Sequence, residues 1–577
     1  MQRVNSTWAF LALCLAATPA RAAPRAAGPH RLDVERLIAG MSLEDKVSQL
    51  LMIGFAGTEV TPHVATWVRD RKVGGVALFS RNIVDFAQTA RFTRDLQALT
   101  VGGVPLFLAL DQEGGNVVRV KDGAMLLPGN MALGATRSPT LAYVAGQSLG
   151  IDLRLLGFNM NLAPVLDVNS NPRNPVIGVR SYGERPELVG ELGAWYVRGQ
   201  QEMGVVAVAK HFPGHGDTQS DSHFSMPSIN VDLERLNEVE LLPFRRALEA
   251  GLDVVMTAHI ALPRIAEDRT LPATLSHRVL TEILRDKLGF RGVIVTDGLE
   301  MQGIVERFGS GRAAVMAVLA GADMPMILWT PKKKEEVFQA LVGAVRSGEI
   351  SRERLETSVR RILTVKAKYG LFTRELEPLE SVLKRRNYNP THDQVAQRIA
   401  REAVTLVRNH ANLLPLRSVR YRKVVVLAPP GPFGTRLARE PNIHVEDVPF
   451  IPSRERRAQA VEQTILDARD ADLLVVAVIN RYHVDMARRI SNALPHLPVV
   501  LLSFASPYYL DELPNVDAYV CTYSYLDGAQ EAAAEAVLGE ITMHGRLPVS
   551  LPGFYPYGHR VDERYASVVP PTTASVR

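Results

Sequence analysis

Short apolar runs recur through the first two-thirds of the chain and alternate with longer segments of helical periodicity. Each run is rich in Val, Ile and Leu without regular polar–apolar alternation, as expected of strands buried on both faces. The runs are residues 49–55, 73–80, 105–111, 158–167, 205–211, 253–260, 292–297 and 322–328. This eightfold alternation of strand and helix predicts an α/β fold, a (β/α)8 TIM-like barrel, which we assign to residues 32–371.

Segments between the runs carry apolar residues three and four positions apart, the spacing of one helix face. Leu280, Ile283, Leu284 and Leu288 form such a face. A longer stretch, from about Lys334 to Tyr369, is predicted to be helical throughout.

A second set of apolar runs follows a charged, less periodic segment, residues 372–393, which we interpret as a linker. The later runs are residues 423–430, 472–480, 498–507 and 517–525, with a helix predicted over 532–540. They predict a smaller α/β sandwich domain with a mostly parallel sheet over residues 394–577. Its Gly/Pro turn at 431–434 lacks the spacing of a nucleotide-binding loop.

Many of the first runs end in polar residues. In a (β/α)8 barrel the carboxyl ends of all strands meet at one face, where the chemistry gathers. We therefore expect the polar strand ends to converge there. They are Asp111, Asp167, Lys210, His211, His259 and Asp297.

Composition and charge place the chain among globular proteins with a large core. It has 577 residues, of which 46% are apolar, and a formal net charge of +5. Spread over this length, the positive excess is mild and forms no Lys/Arg-rich block. We expect no nucleic-acid partner.

The first 22 residues have the pattern of a cleaved secretory signal peptide. Arg3 supplies a short positive region, residues 8–17 are apolar, and Ala-Arg-Ala at 20–22 is a cleavage pattern. The apolar stretch is shorter than the roughly 20 residues that span a bilayer. We expect a secreted or periplasmic protein in which the one remaining cysteine, Cys521, is a buried structural thiol.

Several strand-end residues have chemistry suited to sugars. A lone carboxylate such as Asp297 can act as a nucleophile, a general base or a metal ligand. Asp111, Glu113 and Arg119 lie close in sequence and suit either the binding of sugar hydroxyls or a structural salt bridge. Further hydrogen-bond donors are Arg180, Lys210 and His211.

The segment "KHFPGHGDTQSDSH", residues 210–223, leaves two interpretations open. His211 and His215, with His223, could bind zinc, although Pro and Gly between the first two prevent a helical face. In the alternative, Asp221 fixes the tautomer of His223 and favours its protonated form, which makes a general acid and base. The Pro and Gly residues favour a bent loop that moves as a lid.

The chain resembles glycoside hydrolase family 3, in its β-N-acetylhexosaminidase branch. The segment at 210–223 is the most specific part of the resemblance, which covers most of the chain. The other matching stretches are "MSLEDKVSQLLMIGF", "DQEGG", "APVLDV", "MTAHI", "GFRGVIVTDGLEM", "AREAVTLVRNHANLLPL" and "GRLPVSLP".

This resemblance implies a role for each candidate residue. Asp297 would be the nucleophile, and His223, paired with Asp221, the acid–base residue. Retaining glycosidases usually use two carboxylates, and this branch replaces one with histidine. The family acts without a metal or other cofactor. The residues that would bind N-acetylglucosamine are Asp111, Arg119, Arg180, Lys210 and His211.

The resulting hypothesis is a retaining exo-β-N-acetylglucosaminidase that hydrolyses terminal N-acetylglucosamine from peptidoglycan fragments or chitooligosaccharides. The alternatives are a family 3 β-glucosidase, an N-acetylglucosaminide phosphorylase, a zinc hydrolase and a carbohydrate-binding protein without activity. The partner expected is a carbohydrate substrate, with no membrane span. Sequence reasoning assigns no role to His215 or Glu300, and none to the C-terminal domain beyond support of the barrel.

Overall fold

The computed structural model describes residues 33–100, 102–221, 226–375, 377–385, 390–416 and 419–561. The predicted signal peptide lies outside these ranges. Eight parallel strands form a closed barrel in which each strand pairs with the next and β8 pairs with β1. The strands are β1 Met52–Ile53, β2 Gly75–Leu78, β3 Phe107–Leu110, β4 Met160–Asn161, β5 Val206–Phe212, β6 Val254–Thr257, β7 Val293–Gly298 and β8 Met324–Ile327.

Helices surround this barrel, and each strand coincides with one of the predicted apolar runs, although β5 and β7 each extend one residue past the end of the run. All seven residues of β5 are buried, as a strand covered on both faces requires. The α-helices of this part are α1 Val34–Gly40, α2 Leu43–Gln49, α3 Pro62–Ala65, α4 Phe86–Ala98, α5 Asn130–Thr136, α6 Pro139–Leu155, α7 Pro186–Glu202, α8 Leu233–Arg235, α9 Leu241–Glu249, α10 Gln302–Phe308, α11 Ser310–Ala320, α12 Pro331–Arg346 and α13 Arg352–Lys368. Wider π-helical turns occupy Thr66–Asp70, Leu236–Glu240 and Arg278–Lys287.

The long helical stretch predicted from about Lys334 to Tyr369 is divided by the structure into two helices, α12 and α13. Gly348 lies between them with φ of 83°, a left-handed conformation that ends the first helix. The Ser351 side chain then accepts a hydrogen bond from the Arg354 N–H and caps the second.

Two strands of the barrel lose regular register at their carboxyl ends. The pairing of β5 with β6 shifts between Ala209 and Phe212, which brackets Lys210 and His211. The pairing of β7 with β8 shifts between Val295 and Gly298. Such irregularities re-aim side chains, and both lie where the sequence predicted catalytic or binding residues.

The C-terminal domain is built on a six-stranded sheet in the order β11-β10-β12-β13-β14-β9. All neighbours are parallel except β9, which is antiparallel to β14, so the predicted mostly parallel sheet is confirmed. The strands are β9 Thr405–Asn409, β10 Val424–Ala428, β11 Ile443–Asp447, β12 Leu473–Val478, β13 Val499–Ser503 and β14 Ala518–Cys521. The helices after the barrel are α14 Leu379–Lys384, α15 Pro390–Ala403, α16 Pro432–Leu437, α17 Arg454–Ala468, α18 Arg481–Ala493 and α19 Asp527–Leu538. The first of them, α14, packs against the barrel core through Val382, and α14 and the start of α15 lie in the predicted linker.

The sequence prediction missed the two edge strands, β9 and β11. β11 has one buried residue among five, so its polar positions hide the strand pattern. Cys521 is fully buried in β14, and burial raises the pKa of its thiol to about 12, consistent with a structural residue.

The two domains share a hydrophobic core. Met131, Ala132 and Ala135 of α5 are buried in the same cluster as the residues on one face of the C-terminal sheet. The hydroxyl of Tyr508, which follows β13, accepts a hydrogen bond from Asn169 Nδ2 at 2.9 Å. No helix in the described ranges is long and apolar enough to cross a membrane.

Candidate active site

A charged cluster lies at the carboxyl ends of β3 and β5. The Lys210 ammonium is 2.8 Å from Asp111 Oδ1 and 2.7 Å from Glu113 Oε1. Arg180 donates two hydrogen bonds to the Glu113 carboxylate, at 2.8 and 2.9 Å. Arg119 Nη2 donates to Asp111 Oδ2 at 3.2 Å. Four residues predicted to bind the sugar therefore form one connected group, the charged cluster, in which Glu113 links Arg180 to Lys210.

The charges of the cluster keep its members ionised. Burial by itself raises the pKa of Asp111, but the positive charges of Lys210 and Arg119 outweigh it and hold that pKa below its usual value. Burial likewise opposes ionisation of Glu113, yet Arg180 and Lys210 lower its pKa far below the ordinary range. Burial lowers the pKa of Lys210, and the two carboxylates reverse this effect and raise it.

Asp297 lies at the end of β7 and is half-buried. The Gly298 N–H donates to Asp297 Oδ1 at 2.7 Å, which holds the carboxylate in one direction. Burial would raise its pKa, but the positive potential of His259 and His211, together with the Gly298 N–H, lowers it. An ionised, oriented carboxylate is what a nucleophile in glycoside cleavage requires.

A buried aspartate orients the histidine that precedes the loop. Asp167 is fully buried, and its Oδ2 is 2.7 Å from His211 Nδ1. Its Oδ1 accepts hydrogen bonds from the backbone N–H groups of His211, at 3.1 Å, and His215, at 2.7 Å. Burial raises the pKa of Asp167, but the adjacent His211 lowers it overall, so the aspartate stays ionised and fixes the imidazole.

His215 anchors the loop that follows β5. Its Nδ1 is 2.9 Å from Thr218 Oγ1, and its carbonyl accepts a hydrogen bond from Asn174 Nδ2 at 2.8 Å. Burial lowers the pKa of His215 to about 4, so this imidazole is neutral at physiological pH. A Cβ on Gly216 would lie 1.7 Å from the Val168 carbonyl oxygen, so only glycine allows this close approach.

The first part of the predicted lid is therefore a fixed turn. Residues 213–216 are all buried, and the hydrogen bonds to His215 and Asn174 hold them against the barrel. The bend that we predicted from Pro and Gly is present, but these residues do not form an open hinge.

The predicted acid–base pair lies at the border of the described residues. Asp221 is half-buried and ends one described range. His223 lies outside the described ranges, so its pairing with Asp221 stays a prediction. In the part of the chain that the structure describes, no three His, Cys, Asp or Glu side chains form a group suited to hold a metal ion.

Three supporting residues were not among the predicted site residues: Glu113, which the sequence suggested for sugar binding or a structural salt bridge, and the polar strand-end residues Asp167 and His259. His259 is buried at the end of β6, where its Nδ1 lies 2.8 Å from Thr274 Oγ1 and its Nε2 lies 3.0 Å from the Gly298 carbonyl oxygen. Their positions at or just after strand ends were the available signal. The partners of these three side chains come from distant parts of the chain, so the sequence did not reveal them.

A closed (β/α)8 barrel with an oriented aspartate and a cation–carboxylate cluster at its carboxyl end is suited to the cleavage of carbohydrates. Comparisons with known proteins agree with this inference. The family model described as "Glycosyl hydrolase family 3 N terminal domain" matches residues 42–365. The chain therefore belongs to glycosyl hydrolase family 3 and is a glycoside hydrolase.

The similar proteins include two with curated names. The chain is 30% identical over 562 residues to a β-N-acetylglucosaminidase/β-glucosidase of Cellulomonas fimi, covering 91% of this chain and 97% of that protein. It is 36% identical to β-hexosaminidase A of Pseudoalteromonas piscicida over 385 residues, which span 63% of this chain and 64% of that relative.

A solved structure has the same two-domain fold. The family 3 β-N-acetylglucosaminidase of Paenibacillus sp. str. FPU-7 superposes with a TM-score of 0.81 at 35% sequence identity. The match covers 89% of this chain and 99% of that one. The barrel followed by an α/β domain, predicted from the sequence, is thus confirmed.

Proposed function

We propose that the protein is a retaining exo-β-N-acetylglucosaminidase, with Asp297 as its nucleophile. The observation that carries this proposal is the Asp297 carboxylate, held in one direction by the Gly298 N–H at the end of β7. Burial opposes ionisation, but its surroundings, His259 foremost, lower its pKa and so favour the ionised form. The curated names of two similar proteins support N-acetylhexosaminides as the substrate class.

In the first step of this mechanism, Asp297 attacks the anomeric carbon of the terminal sugar. The bond from that carbon to the leaving oxygen breaks as the bond to the aspartate oxygen forms. Protonated His223, supported by Asp221, gives its proton to the leaving oxygen. The product is a covalent glycosyl-enzyme and a released alcohol.

In the second step, neutral His223 takes a proton from water, which attacks the same carbon and displaces Asp297. Two inversions at the anomeric carbon give overall retention. The ordinary pKa range of histidine allows both roles near neutral pH.

The charged cluster gives the site its grip on the sugar. Asp111 offers carboxylate oxygens to hydroxyl donors, and Lys210, Arg119 and Arg180 offer N–H donors. These groups already hold one another in place, so binding requires little ordering of side chains. His211, oriented by Asp167, adds a further polar contact.

For the natural setting we propose terminal N-acetylglucosamine on peptidoglycan fragments or chitooligosaccharides, outside the cytoplasm. The N-terminal signal-peptide pattern supports export. Peptidoglycan lies in the compartment that an exported bacterial enzyme would reach.

Trapping the covalent intermediate tests the mechanism. A 5-fluoro N-acetylglucosaminyl fluoride reacts to give a long-lived glycosyl-enzyme, and mass spectrometry of its peptides should place the label on Asp297. Asp297→Asn should lower kcat by on the order of 10³-fold or more, because the amide is a poor nucleophile. Proton NMR of the first product formed should show retention.

Asp286→Asn is the matched control, since Asp286 is an exposed residue on the outer Arg278–Lys287 helix. It should leave turnover and labelling unchanged. A label on any residue other than Asp297 would overturn the nucleophile assignment.

Three further measurements separate the alternatives. A glucoside cleaved far better than the matching N-acetylglucosaminide would favour a β-glucosidase. Turnover that requires phosphate and releases a sugar phosphate would favour a phosphorylase. Loss of activity with a chelator, restored by zinc, would favour a zinc hydrolase.

A further inference from the structure

An exposed tryptophan lies beside the proposed nucleophile. Trp329 follows β8, and 40% of its surface is exposed. Phe79, which follows β2, lies next to it with ring centroids 6.5 Å apart and an angle of 47° between the ring planes. We call these two rings the aromatic pair.

Backbone contacts fix Trp329 in this place. The Glu300 carboxylate accepts hydrogen bonds from three successive N–H groups, those of Leu328, Trp329 and Thr330, at 2.5, 2.7 and 2.6 Å. Glu300, to which the sequence analysis gave no role, thus clamps the backbone that carries the indole. The exposed ring is therefore positioned rather than free to turn away.

Gly298 provides the space for the indole. A Cβ at this position would lie 2.9 Å from the outer edge of the Trp329 ring, so a larger residue would displace the ring. Gly298 is also the residue after Asp297 and donates its N–H to that carboxylate. The indole therefore lies against the backbone that orients the nucleophile.

The other side of the aromatic pair reaches the charged cluster. The Arg119 guanidinium carbon lies 5.5 Å from the centre of the Phe79 ring, a cation–π distance. Arg119 donates to Asp111 in turn. The aromatic pair thus connects Asp297 with the residues proposed to bind the sugar.

We propose that Trp329, supported by Phe79, is the platform on which the leaving group of the substrate stacks, and that this leaving group is a sugar ring. The proposal rests on the proposed function and names its leaving-group subsite. The terminal sugar is held through hydroxyls by charged, buried groups such as Lys210, which is 2% exposed. An indole face has no such groups and instead suits the C–H face of a pyranose.

The position of Trp329 favours the leaving group over the terminal sugar. Cleavage occurs at the bond next to Asp297, and whatever lies beyond that bond must extend outward to solvent in an exo-acting enzyme. Trp329 combines contact with Gly298 and high exposure, as a surface at that exit would.

The test compares two substrates that share the terminal sugar. In N,N′-diacetylchitobiose the leaving group is a sugar, whereas in N-acetylglucosaminyl fluoride it is a single atom that cannot cover the indole. Trp329→Ala should lower kcat/KM for the disaccharide about tenfold and affect the fluoride much less. Trp329→Phe should recover most of the loss, because it keeps an aromatic face.

Trp195→Ala is the matched control. Trp195 is similarly exposed, at 38%, but packs against Tyr143 on the outer helices α6 and α7. This variant should leave both substrates unaffected. Circular dichroism of each variant checks that the fold is intact.

Two outcomes would overturn the platform: an equal loss on both substrates in Trp329→Ala, or no loss on the disaccharide. If the wild type instead prefers glucosides, the proposed identity of the terminal sugar is wrong, but the role of Trp329 remains open to the same test. Cellobiose and glucosyl fluoride then replace the two substrates, and the same ratio still decides the platform.

Discussion

At the scale of the residue, Lys210 shows how this site stabilises a buried charge. Removing an ammonium group from water costs several kcal/mol, which a single imperfect partner does not recover. Here two carboxylates, Asp111 and Glu113, lie within 2.8 Å of it, and Arg180 balances the second of them. The conformational entropy of these side chains is lost during folding, so the charged groups are already in place before a sugar binds.

His215 gives a residue-scale prediction about acid stability. Its pKa falls from 6.5 to about 4 in the folded protein, so between these values the unfolded chain binds a proton that the folded chain does not. Folded-state stability should therefore decrease as the pH falls below about 6.5. In His215→Asn the loss of unfolding free energy between pH 7 and pH 5 should shrink by about 1–2 kcal/mol.

Urea denaturation at the two pH values measures this difference. The variant is expected to be less stable than the wild type at pH 7, because it loses packing. Its unfolding free energy should nevertheless change less between pH 7 and pH 5. His63→Asn, at an exposed histidine of α3, should keep the wild-type slope. An unchanged slope in His215→Asn would contradict the prediction.

At the scale of the element, the start of α12 both needs stabilisation and carries Trp329 just before it. Its first backbone N–H groups lack partners within the helix, and the helix dipole favours a negative charge there. Glu300 supplies that charge from the β7 side of the barrel and accepts from residues 328–330 just before the helix. One carboxylate therefore stabilises a helix start and positions Trp329.

Glu300→Gln should weaken both functions. The amide keeps one acceptor oxygen but turns an NH2 group toward backbone donors, which should cost about 1–2 kcal/mol of unfolding free energy. Loosening of Trp329 should lower kcat/KM for the disaccharide more than for the glycosyl fluoride. Thermal denaturation and the substrate ratio measure the two effects.

Glu306→Gln is the control, because Glu306 is exposed on α10, where it accepts a hydrogen bond from the nearby Gln302 side chain. It should change neither quantity appreciably. A stable Glu300→Gln protein with a wild-type substrate ratio would show that the clamp on residues 328–330 is not needed.

At the scale of the whole molecule, helix α5 belongs to two domains at once. It follows β3 in the barrel, yet Met131 is fully buried among residues of the C-terminal sheet. We call this contact between α5 and the C-terminal sheet the seam. Glu184 stabilises it by accepting hydrogen bonds from the N–H and hydroxyl of Ser550, both at 2.7 Å. The C-terminal domain therefore packs as part of one structure and supports the segments that carry Asn169 and Arg180.

Met131→Ala should destabilise the seam by about 2–5 kcal/mol, because it leaves a cavity in a shared core. All four tryptophans lie in the N-terminal part of the chain, three of them in the barrel. Tryptophan fluorescence therefore follows barrel unfolding, and circular dichroism follows both domains. In this variant the dichroism transition should begin at lower urea than the fluorescence transition.

Met316→Ala, at a half-buried methionine of α11, is the comparison that leaves the seam intact. Its effect should be smaller, and its two transitions should coincide. Equal destabilisation in both variants, with coincident transitions, would contradict a shared core.

Much of the architecture could be predicted because its signals are local. Each barrel strand coincides with an apolar run of the sequence to within one residue, since strands covered on both faces need continuous Val, Ile and Leu. The edge strand β11 was not predicted because its exposed positions are polar. The break between α12 and α13 was not predicted because it depends on the conformation of a single glycine, Gly348. Asp297 and Lys210 could be named as candidates because catalytic and binding residues gather at the strand ends of such a barrel.

The sequence by itself determined the barrel, the second domain and the kinds of charged residue at the strand ends, because periodicity and residue type are properties of neighbouring positions. Only the tertiary structure decided the partners. Lys210 shares its charge between Asp111 and Glu113, nearly 100 residues earlier, and Trp329 lies against Gly298. Such contacts depend on how a closed barrel brings distant strand ends together, and no local pattern encodes that distance.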